Sequence, residues 1–174
     1  EQGLSNALTA IMTAAQSESP LVIIATRFPD SWTETSTAYS VDRHELTAPF
    51  VKFSRTVPSA DRIGEYFHAA CKAAIEGVPG PALLVVPMDM LNEATDECLR
   101  PPPQPVALPP ARCEQINAMA AMILAAERPI IVTDVGAARG DCHAGLNSLA
   151  HMGIPVLGNS LGRGIVPEVA PYGY

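Results

Sequence analysis

The chain has 174 residues, 48% of them hydrophobic, 17% charged and 5% aromatic, and a net charge of −7 from 18 acidic and 11 basic side chains. That apolar share excludes a disordered tail, and no uninterrupted apolar run approaches the roughly 20 residues of a membrane span. The acidic balance, with Arg27, Arg43, Lys52, Arg55 and Arg62 scattered rather than massed, argues against a nucleic-acid surface.

In chain order, Ser5 or Asn6 is expected to cap a helix whose body is Ala7 to Ala15, and Ser17 to Pro20 end it. Leu21 to Thr26 is a continuous, β-branched apolar run, predicted to be a strand buried on both faces. Arg27 to Thr37 reads as a loop, Val41 to Leu46 as a short helix stopped by Pro49, and Val51 to Val57 as a strand with one mixed face. Pro58 to Asp61 opens a long helix with Ser59 as N-cap. Ile63, Phe67, Ala70, Cys71 and Ala74 form its apolar stripe, and Gly77 closes it. Pro79-Gly80-Pro81 is a rigid turn, and Ala82 to Val86 a second buried strand. A helix followed at once by a buried strand, repeated, predicts a parallel α/β sheet.

Between Glu93 and Pro110 lie prolines 101, 102, 103, 105, 109 and 110, a composition that cannot continue a sheet or helix and reads as a tether. The α/β pattern then resumes. Arg112 to Glu127 predicts an amphipathic helix with Ile116, Met119, Ala120, Ile123 and Leu124 on one side. Ile130 to Thr133 is a strand, and Val135 to Gly140 a turn opening a helix that ends at His151-Met152-Gly153. Ile154 to Leu157 is a further strand before the glycine-rich loop Gly158 to Gly164. The expected fold is therefore α/β: parts of two open, mainly parallel three-layer sheets joined by a proline-rich linker. Each part shows two or three strands, where sheets usually hold about four to six. With Glu1 at the start, this leads us to expect a piece of a longer chain.

The four cysteines, at 71, 98, 113 and 142, have neither zinc-site spacing nor the density of a small disulfide-stapled protein. Free thiols and a reducing, cytoplasmic setting are the expectation. Gly3-Leu4-Ser5-Asn6 sits where helix N–H groups can receive a polar ligand, although a plain capped helix start explains the spacing better. Val135 to Gly140 lies where doubly wound sheets bind dinucleotides but lacks the Gly-x-Gly-x-x-Gly spacing. Arg163 in the last loop is a candidate anion contact. His44, His68, His143 and His151 have no metal-ligand neighbours in sequence, and Glu18, Asp30, Glu34 and Asp89 are single carboxylates. No nucleophile elbow or phosphate-cradling loop is present, so no catalytic residue and no metal ligand is assigned.

The order of elements resembles a family. Gly3-Leu-Ser-Asn6-Ala-Leu-Thr-Ala-Ile-Met-Thr-Ala14 followed by Ser19-Pro-Leu-Val, then Pro49-Phe-Val-Lys52, then Gly77-x-Pro-Gly-Pro81 through Pro87-x-Asp89, resemble stretches of the thiamine-diphosphate-dependent enzymes, most nearly the acetolactate-synthase-like branch. Ala126-x-Arg-Pro-Ile-Ile-Val132 and Gly153-Ile-Pro-Val156 to Gly162-Arg-Gly164 are similar to its central domain. The resemblance implies that residues 1–92 are the C-terminal half of a pyrimidine-binding domain, 93–111 a linker, and 112–174 the start of a central Rossmann-like domain. It implies thiamine diphosphate with Mg2+ in the full-length enzyme, a small-molecule 2-oxo acid substrate, C–C bond chemistry next to its carbonyl, and a homodimer or homotetramer. Gln2, Gly3 and Asn6 would line the cofactor's pyrimidine pocket, and Phe28 and Trp32 would border the substrate. The family's activating Glu would lie upstream and its metal motif downstream, so this chain alone is expected to be inactive. Departures include Gln2 where the family often has Pro, and Thr26-Arg27 where it often has Gly-Gln. Thr133-Asp134-Val135-Gly136 replaces the glycine-rich turn of FAD-carrying relatives, so FAD is not expected. The alternative is a non-catalytic nucleotide-binding or oligomerisation α/β module.

Overall fold

The computed structural model describes residues 2–29, 32, 41–96, 100–107, 109–159, 161–162 and 164–166. Two compact units, Glu1–Leu108 and Pro109–Tyr174, divide the chain within the proline-rich stretch. No helix among the described residues is long and apolar enough to cross a membrane.

The first unit contains α1 (Gln2–Gln16), β1 (Leu21–Arg27), α2 (Arg43–Thr47), β2 (Phe53–Thr56), α3 (Ile63–Ile75) and β3 (Pro81–Pro87), with 3-10 segments at Ala60–Arg62 and Met88–Asn92. Its three strands form a parallel sheet in the order β1-β3-β2. The register runs from Leu21 opposite Pro81 to Arg27 opposite Pro87 on one side, and from Phe53 opposite Ala82 to Thr56 opposite Val85 on the other. Alternation along β3 divides the core. Leu83 and Val85 pack with Leu4 and Ile11 of α1, while Ala82 meets Ala70 and Ala74 of α3 and Leu84 and Val86 meet Val57, Ala60 and Ile63. With a helix on each face, all seven residues of β3 are buried. Its prolines stand at the two ends, where a missing N–H interrupts the ladder least.

Four expectations need correction here. The first helix begins at Gln2, so Ser5 and Asn6 lie within it rather than capping it. Burial of Leu4 (7% exposed) with Ile11, two turns on, holds the first turn in helix and outweighs the capping preference of Ser5. Leu21 to Thr26 is not buried on both faces: Ile24 is 58% exposed, because nothing among the described residues packs over it. The long helix starts through the 3-10 turn, and Ser59 makes no side-chain cap bond. Phe67 also lies on the exposed side of α3 rather than in its buried stripe.

The second unit contains α4 (Cys113–Ala125), β4 (Ile131–Thr133), α5 (Val135–Arg139), α6 (His143–His151) and β5 (Val156–Gly158). Strands β4 and β5 pair in parallel, Ile131 opposite Val156. Ala150, Val156, Ile165 and Val166 make its core, with Ile131, Ala137 and Leu146 against it. The predicted stripe of α4 forms but is not buried, and Leu124 is 84% exposed. Gly153, at φ 89°, closes α6 as its sequence suggests.

Candidate functional site

The first turn of α1 and the C-terminal half of β1 enclose a groove of about 380 Å³. Gly3, Leu4 and Ala7 line it from the helix, and Ile23 to Thr26 from the strand. The side chains that line it are mainly aliphatic, with the Thr26 hydroxyl and backbone polar groups beside them. A Cβ built on Gly3 would meet nothing within 4 Å, so the groove is open at that point. The first N–H groups of α1 have no intrahelical acceptor and carry the positive end of the helix dipole. Of the residues predicted from sequence, Gly3 is in this groove. Gln2 and Asn6 are exposed on α1 and do not line it. Ala7 and Ile23 to Thr26 were not singled out. The signal that could have found them is the i, i+4 spacing of Gly3 and Ala7 and the end of the β1 run.

Phe28 and Trp32 lie just beyond β1, their rings stacked at 5.7 Å and 17°. The Trp32 N–H donates to the Pro29 carbonyl at 2.9 Å, which closes the turn that brings the rings together. Both are partly exposed, at 41% and 55%. Asp30, Glu34, Cys98 and Arg163, named from the sequence, fall outside the described residues.

A second cavity, of about 290 Å³, opens at the carboxyl ends of the same strands. Arg27, Thr56 and Val85 line it from β1, β2 and β3, and Val41 to His44 from the approach to α2. Asp42 caps α2 by accepting from the His44 N–H at 2.8 Å and the Glu45 N–H at 3.0 Å. The Glu45 bond is the main reason its carboxyl is held below its ordinary value; partial burial opposes this, and the His44 bond adds to the lowering. The His44 ring is pinned between two hydroxyls, Nδ1 at 2.5 Å from Ser54 Oγ and Nε2 at 2.9 Å from Thr56 Oγ1. Both hydroxyls project from one face of β2, since alternate residues share a face. Neither arginine lining, nor this histidine, was predicted as a site residue.

The motif residues that carry the family resemblance hold the fold. The Lys52 ammonium donates to the Glu76 carbonyl at 2.5 Å, at the C-terminus of α3. Its stem crosses Gly80, where a Cβ would lie 3.0 Å from Lys52 Cδ. Gly77, at φ 64°, supplies the left-handed turn after the helix. Pro49-Phe-Val-Lys52 and Gly77-x-Pro-Gly-Pro81 are thus two halves of one junction between α3 and β3. Burial pushes the Cys71 thiol above its ordinary value, which removes it as an activated nucleophile.

In the second unit, Val135 to Arg139 is helix rather than an open turn, and the Asp134 carboxylate accepts from the Val135 N–H at 2.7 Å. Asn159 donates to Asp134 at 2.6 Å and accepts from the Leu161 and Gly162 N–H groups at 2.9 and 3.1 Å. This turn sits against the end of β4, with Asn159 N–H bound to the Thr133 carbonyl at 3.0 Å. His143 reaches the Ile165 carbonyl at 2.8 Å through Nδ1. No group of three metal-ligating side chains occurs among the described residues.

Comparison with known proteins follows the same outline. No family model matches the chain. An acetolactate synthase large subunit of Mycobacterium tuberculosis is 30% identical over 169 residues, covering 95% of this chain and 31% of that protein. The acetolactate synthase large subunit of Corynebacterium glutamicum is 30% identical over 173 residues, covering 95% and 27%. The chain is related to acetolactate synthase large subunits. A glyoxylate carboligase of Escherichia coli O157:H7 is 28% identical over 163 residues, 92% of this chain and 28% of that one. An X-ray structure from Mycobacterium smegmatis, described as a thiamin diphosphate-dependent enzyme, covers 98% of the chain at a TM-score of 0.76 and 24% identity, and shows the fold. The acetolactate-synthase-like chain spans about a third of the length of these relatives.

Proposed function

We propose that these residues are a portion of a thiamine-diphosphate-dependent enzyme that makes or breaks a C–C bond next to the carbonyl of a 2-oxo acid. The observation that carries this reading is the similarity to acetolactate synthase large subunits over 95% of the chain, in which Gly3 opens on the apolar groove between α1 and β1. Residues 1–92 are then the C-terminal half of the pyrimidine-binding domain, 93–111 the linker, and 112–174 the start of the central domain.

The groove fits one end of the cofactor. Its aliphatic side chains, the polar groups beside them and the open space at Gly3 suit a flat heteroaromatic ring. Ala7 and Ile23 to Ala25 would exclude water from the ring, while Gly3 leaves it room. Gln2 and Asn6, exposed on the first turns of α1, would contact it only from the groove's outer rim. Among the described residues no basic or carboxylate side chain lines the groove, so the diphosphate and Mg2+ would be held by other parts of the enzyme. When bound, thiamine diphosphate supplies an electron sink for the bond adjacent to the carbonyl. Phe28 and Trp32 would form an aromatic wall at the substrate's edge. The intact protein would be a cytoplasmic homodimer or homotetramer, and the 174 residues alone would lack catalytic activity and carry no FAD.

Calorimetric titration tests this. The 174-residue chain should show no micromolar binding of Mg-thiamine diphosphate, whereas the product of its complete reading frame should bind it. That frame should encode a Glu upstream and a Gly-Asp-Gly…Asn stretch downstream. Absence of both stretches, with no cofactor binding by the intact protein, would overturn the proposal.

A further inference from the structure

The second unit leaves apolar surface unpacked on a helix and on a sheet face. Apart from Glu114, Gln115 and Asn117, every residue of α4 is apolar, yet none of them is buried. Ile116 and Met119 are exposed, and Met122 is 74% exposed. A helix apolar nearly all round is ordinarily enclosed by its neighbours. The sheet repeats the pattern. Ile131 and Val156, opposite each other in the register, pack with Ala150 and Leu146 of α6. Val132 and Leu157, the next pair, point to the other face, since side chains alternate along a strand. Val132 is 67% exposed, and Ile130, two residues earlier, is exposed as well. One face of the β4–β5 pair is thus covered by α6, and the other presents aliphatic side chains to solvent.

The handedness of the chain says what can cover that second face. Crossovers between parallel strands are nearly always right-handed, so the side to which the chain steps fixes the face on which its helix lies. Between β4 and β5 that helix is α6. A later crossover stepping onward past β5 would put its helix on the α6 face again. One stepping back from β5 to the far edge of β4 keeps its hand only with its helix on the opposite face, over Val132 and Leu157. Among the described residues β4 has no partner on that edge. Two strands are also fewer than the roughly four to six of an ordinary sheet. These residues span about a third of the length of the relatives, so a longer polypeptide has chain to supply both strand and helix. Only residues 126–130 separate α4 from β4, so one segment can cover the sheet face and the stripe of α4 together.

We infer that the Val132 face of β4–β5 and the apolar stripe of α4 form one docking surface for a later segment of the same polypeptide. That segment places a strand on the free edge of β4 and a helix over Val132. The inference rests on the reading of these residues as a portion of a larger enzyme.

The test uses the intact protein, expressed from its complete reading frame. Met122→p-benzoylphenylalanine is irradiated, and its cross-links are mapped by mass spectrometry. The expected product has the mass of one chain and joins position 122 to residues beyond 174. No cross-link, a cross-link to residues 1–108, or one that joins two chains would overturn the inference. Circular dichroism checks that the variant is folded, and the unsubstituted protein gives an independent readout. Met119 and Met122 should be oxidised by hydrogen peroxide about tenfold or more slowly in the folded protein than in urea, because oxidation follows exposure. Equal rates in the two conditions would overturn the inference whatever the variant does. Thiamine diphosphate binding is measured on the same protein. Binding with α4 left uncovered refutes the docking surface and leaves the enzyme reading standing, and a covered α4 without cofactor binding does the reverse.

Discussion

Two glycines in the second unit should respond to the same substitution with opposite signs. A Cβ on Gly162 would stand 2.8 Å from the Thr133 carbonyl oxygen and 3.0 Å from Asp134 Cα, where ordinary contact begins at 3.4 Å. The obstructing atoms are backbone of β4 and cannot rotate away. The turn at Asn159 to Gly162 must therefore retreat by about 0.6 Å (3.4 minus 2.8). That retreat stretches the Asn159 N–H bond to Thr133 from 3.0 Å past the useful range. Overpacking costs about 1–3 kcal/mol and the lost bond about 1, so Gly162→Ala should destabilise by about 2–4 kcal/mol. Gly145, in α6, meets nothing within 4 Å and has ordinary helical backbone. There the same substitution removes only the entropy penalty of glycine, a gain of about 0.5–1 kcal/mol. Urea unfolding followed by circular dichroism gives both values, and hydrogen exchange of the Ile131 amide, bound to the Pro155 carbonyl, localises the loss to the β4–β5 pair. Equal or greater stability of Gly162→Ala than of the native chain would refute the packing argument.

Other perturbations follow from the same geometry. Leu83→Ala, at a fully buried position between α1 and β3, should cost about 2–5 kcal/mol in urea unfolding. Lys52→Met keeps the stem over Gly80 and removes the ammonium from the α3 C-terminus, for a loss of about 0.5–1 kcal/mol that shrinks in high salt. Asp42→Ala should cost about 1 kcal/mol at neutral pH through the lost cap. The folded-state carboxyl of Asp42 is lowered, so its contribution is present above the ordinary carboxylate range and is lost as pH falls through the folded value. The native chain and Asp42→Ala should therefore converge in stability in acid, and a gap that stays constant down to about pH 2 would contradict that origin.

The elements that sequence made legible are those whose signals are local. The run Ala82 to Val86 between two prolines is apolar at every position, and only a central strand covered on both faces accommodates that. Gly77 and Gly153 mark helix ends because both stand at positive φ. What sequence did not reveal depends on partners far along the chain. The apolar run of β1 looks like that of β3, yet Ile24 is exposed because nothing among the described residues packs over it. The stripe of α4 has helical period, but period alone does not say what covers it. Site residues divide the same way. Gly3, which lines the groove beside α1, was singled out by the Gly-x-x-Asn stretch. Arg27 and Arg43 were not, since a cavity shared by three strands exists only once the order β1-β3-β2 brings the ends of β1 and β2 to either side of Val85.

The most direct test is the affinity of the intact protein, expressed from its complete reading frame, for thiamine diphosphate, compared with Gly3→Leu. The open space at Gly3 lets the substitution fold while filling the groove. Saturable binding by the native protein, lost or strongly weakened in Gly3→Leu, is the predicted result. No binding by the native protein, or binding that Gly3→Leu leaves unchanged, would contradict the placement of the cofactor's ring between α1 and β1.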